Sequence, residues 1–159
     1  MNISVIIPHY YVGRRGNLEI IVRDLRTGSR VPDEIIIWNN ESATIFVKDA
    51  LVVQSPRNLG AQARIVAAMM ARGERILFLD NDVSVYHQTV EELYDWSRAH
   101  ENSVVTLEGR ERPSPLTPYS RWPKIYGKGL ATPRSVFLSL GRGEMMMRSV
   151  LLSVVSDFP

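Results

Sequence analysis

Residues 74–83 of the chain, ERILFLDNDV, place four consecutive apolar residues directly before an Asp-Asn-Asp triplet. A run of four apolar residues is too short for a helix and predicts a strand that is buried on both faces. Asp80 and Asp82 are one residue apart, so at the end of a strand their oxygens can converge on one hard cation. The same acids would also suit a turn that ends the strand. The residues alone leave both interpretations open.

Apolar runs of the same kind predict further strands on either side of this stretch. They fall at residues 3–7, 34–38, 51–53 and 103–107. Pro8 would end the first of them, because proline cannot donate to a sheet ladder. A methionine-rich run at residues 145–147 predicts one more core strand.

Three segments between these strands have the spacing of amphipathic helices. The first starts at Asn17 and ends near Gly28, with apolar side chains at every third or fourth position. The second opens after Arg57 and ends at Gly73, for which we expect a left-handed cap. The third begins with a Thr-x-x-Glu capping box at residues 89–92. One side of the second helix is expected to carry Ile65, Ala68, Met69 and Arg72, and four alanines, Ala61, Ala63, Ala67 and Ala71, are expected to allow close packing.

Strands that alternate with helices predict an α/β fold, in which a mostly parallel sheet is covered by helices on both faces. Ligands of such sheets bind at the carboxyl ends of the strands. The loops at residues 8–11, 39–42 and 80–82 would all open on that edge. Any site built from these loops would therefore lie in one place.

Length and composition limit the class of protein. The chain has 159 residues, of which 45% are apolar and 23% charged, as expected for one globular domain with its own core. No apolar run approaches the roughly 20 residues of a membrane span, and no leader precedes the first strand, so we expect a cytoplasmic protein without a membrane span. The chain has no cysteine, so oxygen or imidazole would have to hold any metal ion.

Charge is distributed unevenly along the chain. Residues 1–109 have three more acids than bases, and residues 110–159 have five more bases than acids, which gives the net charge of +2. Residues 119–128 interleave aromatic with basic side chains. This segment could bind a polyanionic acceptor or a sugar, or it could be a surface loop with a buried tryptophan.

Four motifs occur in the order found in one enzyme family. They are residues 4–10 (SVIIPHY), 32–42 (PDEIIIWNNES), 57–64 (RNLGAQAR) and 73–82 (GERILFLDND). Together they resemble the nucleotide-sugar-binding domain of the family 2 glycosyltransferases, which have the GT-A fold. Residues 143–158 are more loosely similar to the strand and helix before the acceptor-side acid of that family.

The resemblance implies a metal-dependent glycosyltransferase that moves a sugar from a nucleoside diphosphate to an acceptor hydroxyl. Residues 1–159 would form a single GT-A-like domain, with the donor half at 1–109 and an acceptor half, cut short, at 110–159. The donor would be a UDP-sugar. Mn²⁺ or Mg²⁺ would be held by Asp82 and, through water, by Asp80. By the same resemblance the nucleotide-binding residues would be Pro8, His9, Tyr10, Asn39, Asn58, Gly60, Arg64 and Asp80.

Some of these residues have simpler interpretations beside the ones that the resemblance implies. Tyr10 could stack on the base or be an aromatic residue on the rim of the site. Arg64 could bind phosphate, hold an acid in place or be solvated.

The chain also departs from the family pattern. Asn39 stands where the family commonly has aspartate, Glu41 where it has glycine and Ile65 where it has asparagine. The catalytic carboxylate of the family would be expected just after Pro159, and Glu144 and Asp157, the acids that follow Glu111, lie outside its motif. The catalytic base is therefore unassigned.

Two alternatives follow from these departures. One is a binding module without efficient turnover, and the other is a transferase that acts on a nucleic-acid or phosphorylated acceptor. A partner chain, for example in a homo-oligomer, could complete the site.

Overall fold

The computed structural model describes residues 2–10, 12–126, 135–136, 138–139 and 142–156. The strands are β1 (Ile3–His9), β2 (Glu34–Asn39), β3 (Leu51–Gln54), β4 (Arg75–Leu79), β5 (Val105–Thr106), β6 (Glu108–Arg110), β7 (Lys124–Tyr126), β8 (Leu138–Ser139) and β9 (Arg142–Met147). The helices are α1 (Arg15–Thr27), α2 (Ala63–Met69), α3 (Thr89–Ala99) and α4 (Arg148–Ser156), with short 3₁₀ turns at Val12–Arg14, Gly60–Gln62 and Tyr119–Arg121.

A six-stranded main sheet has the spatial order β3-β2-β1-β4-β9-β5. Its first four strands are mutually parallel, and β9 is antiparallel to both of its neighbours. Strand β4 is buried on both faces along its whole length, as the opening stretch of sequence predicts. The mostly parallel α/β sheet expected from the alternating elements is confirmed.

Helices cover both faces of this sheet, as predicted. Apolar side chains of α1 and α3, including Leu18 and Leu93, pack with Val5 and Leu77 on one face. Side chains of α2 and α4, including Ala67 and Leu151, pack with Ile6 and Phe78 on the other. None of the described helices is both long enough and apolar enough to cross a membrane.

Pro8 does not end β1, contrary to the sequence prediction. The strand continues to His9, whose carbonyl accepts a hydrogen bond from the Asn40 N–H beside β2. Backbone groups of successive strand residues point alternately to the two neighbouring strands, so the nitrogen of Pro8 points to the β4 side. Pairing with β4 extends only to Ile6, so the absence of an N–H at Pro8 costs no hydrogen bond between β1 and β4.

Helix α2 packs against the sheet through alanines, as the sequence predicts. Ala63, Ala67 and Ala68 are buried, whereas Met69 is half exposed. Small side chains allow the helix backbone to approach the sheet closely. The close packing expected of Ala63, Ala67 and Ala71 is confirmed, whereas Ala61 is exposed.

The left-handed cap expected at Gly73 is also absent, because its φ lies outside that region. A Cβ atom on Gly73 would lie 2.6 Å from the backbone nitrogen of Ser4. The glycine is needed for this close approach and not for a left-handed conformation.

The start of α3 and the strand after it differ in detail from prediction. Thr89 is the first helical residue, and its hydroxyl accepts a hydrogen bond from the Tyr86 N–H (2.9 Å) instead of capping the helix. The strand expected at residues 103–107 is limited to β5, after which β6 forms a second sheet in the order β7-β6-β8. Thr106 of β5 and Phe78 of β4 both pair with Glu144, so the chain enters the small sheet at the carboxyl edge of β4.

Candidate functional site

A cavity of about 510 Å³ opens where β1, β2 and β4 end. This volume lies within the roughly 300–1,000 Å³ of small-molecule sites. The lining residues are Pro8, His9, Tyr10, Arg14, Asn40, Asn58, Gly60, Ala61, Arg64, Asp80 and Asn81. Seven of the eight residues expected to bind nucleotide are therefore brought together, and Asn39 is the one that does not line the cavity.

Asp80 follows the last residue of β4 and faces helix α2. Its Oδ1 lies 2.7 Å from Nη2 of Arg64, and Nη1 of the same guanidinium lies 3.5 Å from Oε2 of Glu144 on β9. The Arg64 side chain is 24% exposed. Arg64 thus stands between two carboxylates, which hold it at the wall of the cavity.

Asp82 pairs with a different arginine on the other side of the turn. Its Oδ2 lies 3.0 Å from Nη1 of Arg14, which also donates to Oδ1 of Asn81 (3.4 Å). With its oxygen thus engaged, Asn81 uses Nδ2 to donate to Nδ1 of the buried His9 (2.9 Å). The Asp-Asn-Asp turn is therefore tied to the end of β1 and to the start of α1.

Asn39, an expected nucleotide ligand, is fully buried and holds its own loop together. Its Nδ2 donates to the Ala43 carbonyl (2.8 Å) and to Oε1 of Gln54 (2.7 Å), and its Oδ1 accepts from the Glu41 N–H (3.1 Å). An aspartate could not make the two donations. The side chain that reaches the cavity from this loop is the next one, Asn40.

Asn40 also connects two of the loops that form the cavity. Its Oδ1 accepts a hydrogen bond from the Leu59 N–H (3.0 Å), and Oδ1 of Asn58 accepts one from the Gly60 N–H (2.8 Å). Gly60 has a φ of +57°, a left-handed conformation that glycine adopts without strain. These contacts fix the turn that leads into α2 and so position Arg64.

The residues of the turn are chemically suited to a hard divalent cation. Asp80 and Asp82 offer carboxylate oxygens, and their side chains are 35% and 39% exposed. Within the described residues no group of three acidic or imidazole side chains gathers at one point. Mg²⁺ commonly uses only one or two carboxylates and takes its other ligands from water and substrate phosphates, so two acids beside a cavity fit such an ion.

The position of Tyr10 is compatible with both of its interpretations, and the two acids considered as a base lie elsewhere. Tyr10 is 58% exposed on the rim of the cavity, a position that suits base stacking as well as an ordinary surface aromatic. Glu144 is buried against Arg64, and Asp157 lies outside the described residues.

Sequence reasoning missed three of the cavity's polar residues, which are Arg14, Asn40 and Asn81. Asn40 and Asn81 lie in the loops at 39–42 and 80–82 that were expected to open on this edge, and Arg14 lies three residues before the predicted start of the first helix. Their place in the sequence does not show which way each side chain points.

Comparisons with known proteins agree with this architecture. A crystal structure of S. aureus TarS 1-349 aligns with 100% of this chain and 50% of its own, at 20% identity and a TM-score of 0.68. Structures of the same TarS fragment with UDP-GlcNAc and with UDP give 18% and 17% identity, a TM-score of 0.65 each, and cover 49% and 50% of that protein. The chain thus spans about half the length of these structures.

A search of curated proteins finds no match. The model of the family described as glycosyl transferase family 2, however, matches residues 4–152. That match includes all of β1 but its first residue, all of β4, the Asp-Asn-Asp turn and most of α4. The protein therefore belongs to glycosyl transferase family 2.

Proposed function

We propose that the cavity binds a nucleoside diphosphate sugar, with a UDP-sugar as the donor, and that the domain transfers the sugar to an acceptor hydroxyl. The observation that carries the proposal is the combination of two arginines and two carboxylates at the carboxyl edge of the sheet. Guanidinium groups match the phosphate oxygens of such a donor, and carboxylates match the cation that accompanies it. TarS has been crystallised with UDP-GlcNAc and with UDP, which supports this class of ligand.

Each loop would have a separate part in holding the donor. Asn40 and Tyr10 would contact the base and ribose, because an amide can hydrogen-bond a base edge and an aromatic ring can stack on it. Arg64 would direct its guanidinium to the diphosphate. Asp80 and Asp82 would hold Mn²⁺ or Mg²⁺, which when bound stabilises the negative charge on the departing diphosphate.

A thermal-shift experiment tests the donor and the metal together. We expect UDP to raise the melting temperature with Mn²⁺ present and to have little effect in chelator, because a ligand that binds only the folded state stabilises it. Asp82→Ala should abolish this shift. Asp80→Asn should weaken it less, if Asp80 acts through water.

The matched control is Asp95→Ala, which removes an exposed acid from α3. It should leave the shift unchanged. Equal stabilisation by UDP in metal and in chelator would contradict a cation that bridges protein and donor.

The acceptor would approach from the small sheet, since the chain enters that sheet at the carboxyl edge of β4. Tyr119 and Tyr126 are about half exposed there, and Arg121 is exposed. Lys124 differs, because its Nζ lies 3.2 Å from Oε1 of the buried Glu108. Arg121 is therefore better placed than Lys124 to bind an acidic acceptor.

Removing the charges of Arg121 and Lys124 should weaken acceptor binding and leave UDP binding nearly unchanged. Lys128, which the sequence also suggested, lies outside the described residues. For a nucleic-acid acceptor, affinity should fall steeply with salt because each neutralised phosphate releases counterion. Loss of UDP affinity in the Arg121 and Lys124 double variant would contradict this division of the site.

A second candidate is nucleotide-sugar binding without efficient turnover. The contact of Glu144 with Arg64 favours it, because a general base must lie within hydrogen-bond reach of the acceptor hydroxyl and the Glu144 carboxylate is turned to the guanidinium instead. Single-turnover transfer by purified protein at several concentrations, with Glu144→Gln, separates the two candidates. If transfer is fast, does not depend on protein concentration and is lost in Glu144→Gln, then Glu144 is the base and this second candidate is excluded.

The cytoplasmic location and the homo-oligomer stay predictions.

A further inference from the structure

The two arginines at the Asp-Asn-Asp turn differ in how firmly they are held. Arg64 is 24% exposed and keeps a second carboxylate, that of Glu144, if Asp80 is engaged elsewhere. Arg14 is 46% exposed, and among the described residues its only carboxylate within ion-pair distance is that of Asp82. Exposed pairs of this kind contribute little and exchange readily. Arg14 is therefore the arginine that another cation can displace.

Arg14 also lies where its charge would be useful after displacement. It lines the cavity at the start of α1, and its Nη1 is shared between Asp82 and Asn81. A divalent cation on Asp82 would repel a guanidinium bound to the same carboxylate, because like charges at this distance disfavour one another. The released side chain stays at the wall of the cavity, where a phosphate is the anion that suits its planar fork.

We propose that Arg14 is an exchangeable counter-ion, which pairs with Asp82 in the donor-free protein and moves to the donor's diphosphate when a divalent cation takes Asp82. The inference rests on the proposed function. Arg14 would thus be a further ligand of the donor's phosphates, and the metal would have to release it from Asp82 first. The exchange would also favour binding of metal and nucleotide together over binding of metal alone.

This exchange has a signature that a merely structural arginine lacks. Without nucleotide, Arg14 competes with the cation for Asp82, so its removal should strengthen cation binding. With the cation bound, Arg14 contacts phosphate, so its removal should weaken nucleotide binding. The two effects have opposite signs, and damage to the fold would weaken both affinities.

The experiment is a pair of calorimetric titrations on the parent protein, Arg14→Gln and Arg14→Lys. In the first titration, Mn²⁺ is added without nucleotide, and we expect Arg14→Gln to bind it about twofold to fivefold more tightly than the parent. In the second, UDP is added at saturating Mn²⁺, and we expect Arg14→Gln to bind it about tenfold more weakly or worse. Arg14→Lys keeps the charge and should resemble the parent toward Mn²⁺, while it recovers only part of the UDP affinity.

Arg23→Gln is the matched control, because Arg23 lies on α1, the helix that directly follows Arg14, and pairs with the neighbouring Asp24. It should match the parent in both titrations. Unchanged or weaker Mn²⁺ binding by Arg14→Gln, or unchanged UDP binding, would overturn the exchange and leave the proposed function standing. A parent protein that binds neither Mn²⁺ nor UDP would overturn both.

Discussion

Arginine-carboxylate pairs occur at both ends of the strands of the main sheet, called here the amino edge and the carboxyl edge. The two differ in how many hydrogen-bond donors surround each acid. At the amino edge, Glu34 accepts from the Ser4 hydroxyl (2.6 Å), the Arg72 backbone N–H (3.0 Å) and the Arg72 guanidinium (3.2 Å). At the carboxyl edge, Asp82 pairs with an exposed Arg14 beside a cavity. An acid surrounded by backbone and hydroxyl donors stabilises the fold, whereas an acid with one exposed partner can accept a ligand.

Two glycines show the same contrast in packing. A Cβ atom on Gly73, at the amino edge, would lie 2.6 Å from both the backbone nitrogen and Oγ of Ser4. A Cβ atom on Gly60, at the cavity, would meet nothing within 4 Å. The amino edge is closed, and the carboxyl edge keeps space for a ligand.

The largest effect on stability is expected at the closed edge. Gly73→Ala should lower the free energy of unfolding by about 2–3 kcal/mol, because backbone atoms of β1 must move to make room. Urea unfolding measures this change. Gly16→Ala on α1, where the added carbon meets nothing within 4 Å, is the control and should be neutral or stabilising. A similar loss of stability in Gly73→Ala and Gly16→Ala would show that crowding at Gly73 is not the cause.

Asp80→Asn tests the open edge. UDP affinity at saturating Mn²⁺ should fall about tenfold, and the free energy of unfolding should change by less than about 1 kcal/mol because the lost pair is partly exposed. Calorimetry and urea unfolding measure the two quantities. A loss of stability as large as that of Gly73→Ala would mean that Asp80 is chiefly structural.

Ser4→Ala tests how much the hydroxyl at the amino edge contributes. Its Oγ donates to Glu34 and accepts from the buried Gly73 N–H (2.9 Å), so both partners lose a hydrogen bond. We expect a loss of about 1–2 kcal/mol in the free energy of unfolding, with UDP binding unchanged. Ser29→Ala, which removes an exposed hydroxyl bonded to the His87 carbonyl, should change stability less. Equal losses would argue against the special environment of Ser4.

The smallest effect concerns pH and Glu34. Partial burial would raise the pKa of this carboxyl, but hydrogen bonds from Ser4 and Arg72 outweigh burial and hold the pKa below its ordinary value of 4.5. Since the pKa is lower in the folded state, ionised Glu34 stabilises the fold above pH 4.5, and this contribution disappears as the pH falls through the folded pKa. Glu34→Gln should therefore flatten the loss of stability below pH 4.5. If the stability of Glu34→Gln falls below pH 4.5 as steeply as that of the parent, groups other than Glu34 control the loss.

Most of the fold could be predicted because buried strands leave a clear pattern in the sequence. Four consecutive apolar residues before Asp80 predicted β4, and the spacing of Leu18 and Leu25 predicted α1. The run of alanines in the second helix predicted close packing of α2, and Ala63, Ala67 and Ala71 are indeed buried. The reason assigned to Gly73 was wrong, since a sequence does not show that a Cβ atom there would lie 2.6 Å from Ser4 of β1.

The site was predictable in its location and less so in its individual side chains. Strand ends locate the loops, but only hydrogen bonding shows that Asn39 turns inward and Asn40 reaches the cavity. Likewise, the sequence contains Arg14 and Arg64 among many arginines and does not show which acid each one faces. These assignments depend on contacts between residues far apart in the chain.

The position of β9 also has a consequence for how the domain folds. This strand comes from residues 142–147, yet it lies between β4 and β5, whose residues precede it by 36 or more positions. Until β9 is in place, one edge of β4 has no partner strand, and an open edge of an apolar strand is prone to pair with other chains. Pairing over such separations is slow because closing a long loop costs conformational entropy. Since β9 also carries Glu144, the Arg64 side of the cavity is complete only after β9 has paired with β4.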